Sequence, residues 1–150
     1  MTSEEYQPRR LFTLEEANAA LPLVRAIAAD MSELAREVVE RRQRLASLQA
    51  FRRKGSDVYS EELAVVESEL EGDMARLHEY VEELGELGVE AKNGVEGLVD
   101  FPCELDGRVV YLCWKLEEPE VLYWHELEAG FAGRQPLPAS LKRRPAAAMP

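Results

Sequence analysis

Apolar positions in the first half of the chain recur every three or four residues, which is the spacing of one face of an α-helix. After Pro22 this stripe consists of Val24, Ile27, Met31, Leu34, Val38, Leu45 and Leu48. A second stripe begins after Ser60 and consists of Leu63, Val66, Leu70, Met74, Leu77, Val81, Leu84 and Leu87. Because Gly55-Ser56-Asp57 leaves only a short connection, the pattern predicts a long antiparallel helical hairpin, similar to a coiled coil, over residues 14–88.

The start of the first helix is marked by Thr13-Leu14-Glu15-Glu16, which matches the capping-box pattern. In this pattern the Thr13 side chain accepts a hydrogen bond from an early backbone N–H, while Glu16 reaches back. Pro22 lies within the helical pattern, and its ring clashes with the carbonyl one turn earlier. Either a kink or a fresh helix start is therefore expected there, and we place a short helix before Pro22 and a long helix after it.

The two helical segments carry opposite charge. Basic residues predominate over residues 36–54, whereas residues 61–86 carry mainly carboxylates. In a chain that folds back on itself, Arg44 is expected near Glu69. Such exposed ion pairs can set the register of the helices, although each contributes only about 0.3–0.5 kcal/mol.

Strand patterns follow the helices. Residues 98–105 and 108–116 flank Asp106-Gly107, a dipeptide suited to a two-residue type I′ turn because both central residues need a positive φ. This turn fixes the pairing of the two strands: Leu105 with Arg108, Cys103 with Val110, Phe101 with Leu112, and Asp100 with Cys113. A third strand is expected over residues 121–126, which gives a small three-stranded antiparallel sheet and an α+β fold. Val89-Glu90-Ala91 is a candidate edge strand.

Alternation along these strands separates two faces of the predicted sheet. The apolar face, expected to pack on the helices, carries Val99, Phe101, Cys103, Leu105, Val110, Leu112, Trp114 and Leu116. The other face carries Asp100, Glu104, Tyr111, Cys113 and Lys115. The length of the turn before the third strand leaves two registers open. An even turn places Trp124 opposite Cys113 with His125 pointing inward, and an odd turn exchanges them.

Composition fits one domain over residues 1–137, since 150 residues with 46% hydrophobic content can bury a modest core. Residues 138–150 have no periodicity and three prolines, so they are expected to be a disordered tail. The net charge of −11 repels the nucleic-acid backbone and anionic lipid, which argues against free nucleic acid or a membrane as a partner. No charged start precedes an apolar run, so neither a signal peptide nor a membrane span is predicted, and a cytoplasmic location is expected.

Several uncommon strings occur at the start of the first helix, in the strands and after them. They are FTLEEAN (12–18), LP (21–22), GLVDFP (97–102), YLCW (111–114), WHE (124–126) and GFAGRQPL (130–137). In these strings the chain resembles the bacterial family labelled domain of unknown function 2203, over about residues 11–137. The resemblance implies a lineage rather than an activity, and it assigns no catalytic residue.

A metal site is one interpretation of the polar residues in the strands. His125 and Glu126, with Asp100 and Cys113 nearby, supply imidazole, carboxylate and thiolate ligands of the kind that zinc or a similar divalent ion binds. The pattern is not that of a zinc-protease helix, because Ala129 stands where the second histidine would be required. The alternative is that His125 is a hydrogen-bonded, half-buried strand residue.

A ligand pocket is a second interpretation, based on the glycine-rich segment 130–135. Its glycines allow the backbone to approach a ligand, and Arg134 offers a bidentate fork for a carboxylate or phosphate. The residues of such a pocket would be Trp124, His125, Glu126 and Arg134, with Tyr111 in the opposite wall. Alternatively, Phe131 fills a gap between the sheet and the helices, and Arg134 pairs with one of the surplus carboxylates.

The predicted helical hairpin and its acidic face favour a non-enzymatic interaction or adaptor protein. Its hairpin would present a tip and an acidic face to a protein partner or to a second copy of the chain. The alternative function is a metal-binding protein or metal-dependent enzyme with a site around His125 and Glu126. A third possibility is the binding of a small molecule at Trp124 and Arg134 without chemistry.

Overall fold

The computed structural model describes residues 6–53 and 60–138. Two helices, α1 (Leu14–Arg53) and α2 (Ser60–Glu86), precede an antiparallel sheet, which confirms the α+β class. The strands lie in the order of the chain: β1 (Glu90–Asn93), β2 (Leu98–Leu105), β3 (Arg108–Trp114), β4 (Tyr123–His125) and β5 (Gln135–Pro136). A 3₁₀ helix, Phe131–Gly133, separates β4 from β5. Neither helix, over its described residues, contains an apolar stretch long enough to cross a lipid bilayer.

The first helix begins as predicted but does not break at Pro22. Thr13 Oγ1 accepts from the Glu16 N–H at 3.0 Å, and Glu16 Oε1 accepts from the Thr13 N–H at 3.0 Å, so the capping box forms. The prediction of a separate short helix before Pro22 was wrong, because α1 continues through it. Pro22 faces solvent, while Leu21 and Val24 on either side of it are buried. Burying these two side chains, at about 1.5–3 kcal/mol each, offsets the roughly 3 kcal/mol cost of proline in a helix.

The helices α1 and α2 contact each other through both charged and apolar side chains. Arg41 pairs with Glu69 at 3.6 Å and also with Asp73, and Arg44 pairs with Glu62. Arg44 was expected near Glu69, and both residues line one groove between the helices, although the ion pair of Arg44 is with Glu62. Leu48, Leu63 and Val66 form a buried cluster between the helices. Apolar packing sets the register, and the long arginine side chains take the carboxylates that this register brings near.

Two predicted segments lie outside the described residues. The first is the connection through Gly55-Ser56-Asp57, on which the hairpin prediction depends. The second is the predicted disordered tail, of which Pro138 is described and residues 139–150 are not.

The turn between β2 and β3 is confirmed in its residues and its backbone. Asp106 and Gly107 have φ values of 53° and 82°, as a type I′ turn requires. All four predicted pairs occur: Leu105 with Arg108, Cys103 with Val110, Phe101 with Leu112, and Asp100 with Cys113.

The sheet has five strands, so the prediction of three was wrong. At one edge, β1 pairs with β2 through an irregular register between Ala91 and Asn93. At the other edge, β5 has only two residues, one of which is Pro136. Both additional strands are too short or too irregular to show the alternation by which a strand is recognised in a sequence.

The apolar face of the sheet packs on the helices as expected. Phe101, Leu112 and Trp114 from the strands share one buried cluster with Val24 and Met31 of α1, among others. This cluster draws on the first half of α1 and the end of α2, whereas Leu48, Leu63 and Val66 form a separate cluster further along the helices. The opposite face of the sheet, with Asp100 and its neighbours, is therefore left to be covered by other segments.

Candidate functional site

The register of β4 decides which side chains share the outer face of the sheet with Asp100. His125 lies opposite Tyr111, Trp124 opposite Leu112, and Tyr123 opposite Cys113. This is the second of the two registers that the sequence leaves open. His125 therefore lies on the same face as Asp100 and Cys113, and Trp124 points to the opposite face.

The His125 ring is held at both nitrogens. Nε2 lies 3.2 Å from Oδ1 and 3.1 Å from Oδ2 of Asp100, and Nδ1 lies 2.7 Å from the backbone oxygen of Glu126. A carbonyl oxygen can only accept, so Nδ1 carries a hydrogen and donates a hydrogen bond to the backbone oxygen of Glu126. A further proton then lies between Nε2 and the Asp100 carboxylate. Both residues are buried, with 2% of His125 and 3% of Asp100 exposed.

Cys113 completes a cluster of three possible metal ligands. Its sulfur, one carboxylate oxygen of Asp100 and one ring nitrogen of His125 all lie within 4.8 Å of one another. Burial, with the nearby Asp100 carboxylate, raises the pKa of the Cys113 thiol to about 12. Burial also raises the pKa of Asp100, although His125 and Lys92 act in the opposite direction. Without a metal, the Cys113 thiol therefore retains its proton at neutral pH.

A small cavity of about 120 Å³ adjoins this cluster. Asp100 and His125 line one side of it, and Lys92 and Tyr111 provide its other polar groups. The remaining wall is largely apolar and includes Phe131 from the 3₁₀ helix. Two of the three candidate ligands, Asp100 and His125, therefore have direct access to this cavity.

The N-terminal segment and the edge strand β1 form a hydrogen-bond network beside the cavity. Glu90 lies directly opposite Asp100 and accepts from Tyr111 at 2.7 Å, from Lys92 at 3.0 Å and from the Tyr6 hydroxyl. Burial and the bond to Glu90 raise the pKa of Tyr6 to about 12, so Tyr6 donates at neutral pH. Sequence reasoning missed Tyr6, Glu90 and Lys92. The candidate edge strand was the signal that could have placed Glu90 beside Asp100.

Glu126 and Trp124, both predicted as site residues, do not contact the cluster through their side chains. The Glu126 carboxylate forms an exposed ion pair with Arg108, and only its backbone oxygen contacts His125. The Trp124 ring packs against the apolar core, with the Arg108 guanidinium 5.8 Å from its centroid. The physical reason is strand alternation, which turns the residues on either side of His125 to the opposite face.

Arg134 pairs with a carboxylate, as in the alternative to the ligand pocket. Its guanidinium makes two hydrogen bonds of 2.7 Å with the Glu118 carboxylate, and it lies 4.0 Å from the centroid of the Tyr123 ring. It also donates to the Cys113 backbone oxygen at 3.3 Å. Phe131, by contrast, does not fill a gap between sheet and helices. It is 42% exposed and covers the cavity on the outer face.

The geometry disfavours cysteine catalysis. Because Nδ1 of His125 donates to a backbone carbonyl and Nε2 faces Asp100, neither nitrogen is available as a base for the Cys113 thiol. A fully buried thiol with a raised pKa is also a poor nucleophile. The same buried thiol, carboxylate and imidazole are suited to holding a metal ion once their protons are displaced.

The model of the family described as Uncharacterized conserved protein (DUF2203) matches residues 10–137, which is most of the chain. The chain belongs to this family. The DUF2203 match includes Asp100, Cys113 and His125, whereas Tyr6 lies before it. No curated protein and no solved structure is significantly similar to the chain. The description of the DUF2203 family gives no activity.

Proposed function

We propose that this DUF2203 protein binds a divalent transition-metal ion through Asp100, Cys113 and His125. The observation that carries the proposal is the convergence of a carboxylate, a thiol and an imidazole from three neighbouring strands within 4.8 Å of one another. Each is at most 3% exposed. Burying several polar groups together costs free energy, because they are removed from water. The mixture of oxygen, nitrogen and sulfur ligands favours zinc among the common divalent ions.

The ligand spacing supports a tetrahedral ion. Two ligand atoms bonded at about 2.0 Å to tetrahedral zinc are about 3.3 Å apart. The separation of 3.1–3.2 Å between Nε2 of His125 and the Asp100 oxygens is close to this value. The widest separation in the cluster, up to 4.8 Å, requires a shift of about 1 Å in a side chain on binding.

Charge and the surrounding contacts also support metal binding. A deprotonated thiol and carboxylate together neutralise a divalent ion, so the bound cluster would bury no net charge. The bond from Nδ1 of His125 to the Glu126 backbone oxygen leaves Nε2 as the ligand atom, as in many metal-binding histidines. Arg134 interacts with the Cys113 sulfur and favours its thiolate form. A reducing compartment such as the cytoplasm would keep Cys113 available.

Metal content and affinity test the proposal. We expect protein purified without an affinity tag to bind one equivalent of zinc, measured by elemental analysis and by competition with a chromophoric chelator. His125→Ala should lower the affinity at least about 100-fold. The matched control is Glu126→Ala, which removes the neighbouring carboxylate but keeps the backbone oxygen, and it should leave the affinity unchanged. Substoichiometric metal, or equal affinity in both variants, would contradict the proposal.

Partner binding by the helices is a second candidate function. Met74 and Val81 of the second apolar stripe, and Val39 and Val65 next to the stripes, are 40–55% exposed, so apolar side chains on both helices are not covered within the described residues. We propose that α1 and α2 form an antiparallel hairpin and that these side chains contact a protein partner or a second copy. The order of contacts supports this topology, because Arg41 pairs with Asp73 while the later Arg44 pairs with the earlier Glu62.

Light scattering after size-exclusion chromatography, together with affinity capture, tests this second function. Val65→Asp with Met74→Asp should reduce self-association or partner capture without unfolding the protein, since both side chains are already exposed. A strict monomer whose captured proteins do not change with these substitutions would exclude it.

A further inference from the structure

We propose that the metal at Asp100, Cys113 and His125 keeps one open coordination position, which takes a small carboxylate or hydrogencarbonate anion from the adjoining cavity. The inference rests on the proposed metal site and names the class of its ligand. Three protein ligands leave the fourth position of a tetrahedral ion open, as in catalytic rather than structural zinc sites. The position of the cavity beside Asp100 and His125 indicates where this opening lies.

The size of the cavity limits what can enter. Its volume of about 120 Å³ holds a few water molecules. A carboxylate of two or three carbons, or a hydrogencarbonate ion, is of this size, whereas a nucleotide is far larger. The anion would bind the metal with one oxygen and direct the other towards the far wall.

Lys92 gives that wall its positive charge. Lys92 lines the cavity, and its ammonium lies 3.0 Å from Glu90 Oε1 and 4.8 Å from the centroid of the Tyr111 ring. An ammonium has three donors, so the bond to Glu90 leaves capacity for an oxygen in the cavity. Glu90 also accepts from Tyr6 and Tyr111, which distributes its charge over three donors.

The apolar part of the lining strengthens this preference for an anion. Leu98, Leu127 and Phe131 supply the apolar side chains beside the polar groups. An ion pair next to apolar side chains is stronger than one in bulk solvent. The two anionic metal ligands neutralise the divalent ion and Glu90 pairs with Lys92, so the incoming anion is held by its bond to the metal and by the ammonium donors that Glu90 leaves free.

Cobalt substitution tests the inference, because tetrahedral Co²⁺ with a thiolate ligand absorbs visible light and responds to a change of its fourth ligand. Acetate and hydrogencarbonate, titrated into the full-length Co²⁺ protein, should cause a saturable change of the visible bands. Lys92→Gln should weaken the apparent affinity for each anion at least tenfold while leaving the affinity for Co²⁺ unchanged. The matched control is Lys115→Gln, which removes a lysine of the same module that does not line the cavity.

The outcomes separate this inference from the proposed function. Failure to bind Co²⁺ would overturn both. Stoichiometric Co²⁺ binding with a spectrum that neither anion changes would overturn the open position and leave the metal site standing. Equal anion affinity in Lys92→Gln and the unsubstituted protein would overturn the role of the cavity and its lysine.

Discussion

The imidazole of His125 on β4 reaches the carboxylate of Asp100 on β2 across the intervening strand, with Nε2 3.1 Å from Oδ2. Neighbouring strands are about 4.8 Å apart, so the two backbones are separated by nearly 10 Å and only long side chains on the same face can meet. Cys113, on the strand between them, lies directly opposite Asp100. The contact therefore joins three strands and forms the base of the candidate metal site.

A double-mutant cycle should show strong coupling between these two residues in metal-free protein. His125→Ala leaves the buried Asp100 carboxyl without its partner, and we expect a loss of about 3 kcal/mol in the free energy of unfolding. The coupling energy from Asp100→Ala, His125→Ala and the double variant should exceed about 1.5 kcal/mol. Urea denaturation in the presence of a chelator provides the measurement.

The exposed pair of Arg108 and Glu126 is the control for this cycle. Its side chains are 56% and 47% exposed, so its coupling energy should be below about 1 kcal/mol. A coupling between Asp100 and His125 no larger than that of the control would show that the buried pair is not a structural unit.

Arg134 is predicted to stabilise the protein through the shape of its guanidinium as well as its charge. Its side chain and that of Glu118 are 11% and 14% exposed, and they form two parallel hydrogen bonds. Arg134→Ala should cost about 2–3 kcal/mol, and Arg134→Lys should recover less than half, because an ammonium cannot make the bidentate contact. Urea denaturation measures both, with Arg108→Ala as the exposed control. A lysine variant as stable as the unsubstituted protein would contradict this account.

Stability should fall at alkaline pH because of Cys103. Burial raises the pKa of its thiol from 9.0 to about 11. The unfolded chain therefore loses this proton near pH 9 while the folded protein still holds it, so the contribution is complete below pH 9 and is lost as pH rises towards 11. The loss should be on the order of 2 kcal/mol. Cys103→Ala should lack this component, and parallel pH profiles of the two proteins would contradict the prediction.

Local sequence signals predicted the central hairpin of the sheet but not the strand beside it. Asp106-Gly107 determines its own turn, and the turn fixes the pairing of Asp100 with Cys113. The register of β4 depends instead on how the preceding loop is held. There the Val121 N–H donates to Asn18 Oδ1 of α1 at 2.8 Å, across 103 positions of the chain. Sequence periodicity contains no information about such a contact.

The sequence predicted only part of the candidate site, again because it does not determine the register of β4. Asp100, Cys113 and His125 were named from their ligand chemistry, and the structure brings them together. Glu126 was also named, although strand alternation turns its side chain away once the register of His125 is known. Lys92 was missed because it lies on an edge strand whose irregular pairing hides the alternation.

X-ray absorption at the zinc edge can decide whether Asp100, Cys113 and His125 bind a metal, because it reports the atoms bound to the zinc ion. We predict one sulfur at about 2.3 Å and nitrogen or oxygen ligands at about 2.0–2.1 Å. The sulfur signal should disappear in Cys113→Ser and persist in Cys103→Ser, which replaces the other cysteine of the chain. A first shell without sulfur, or a sulfur signal that survives Cys113→Ser, would contradict the proposed site.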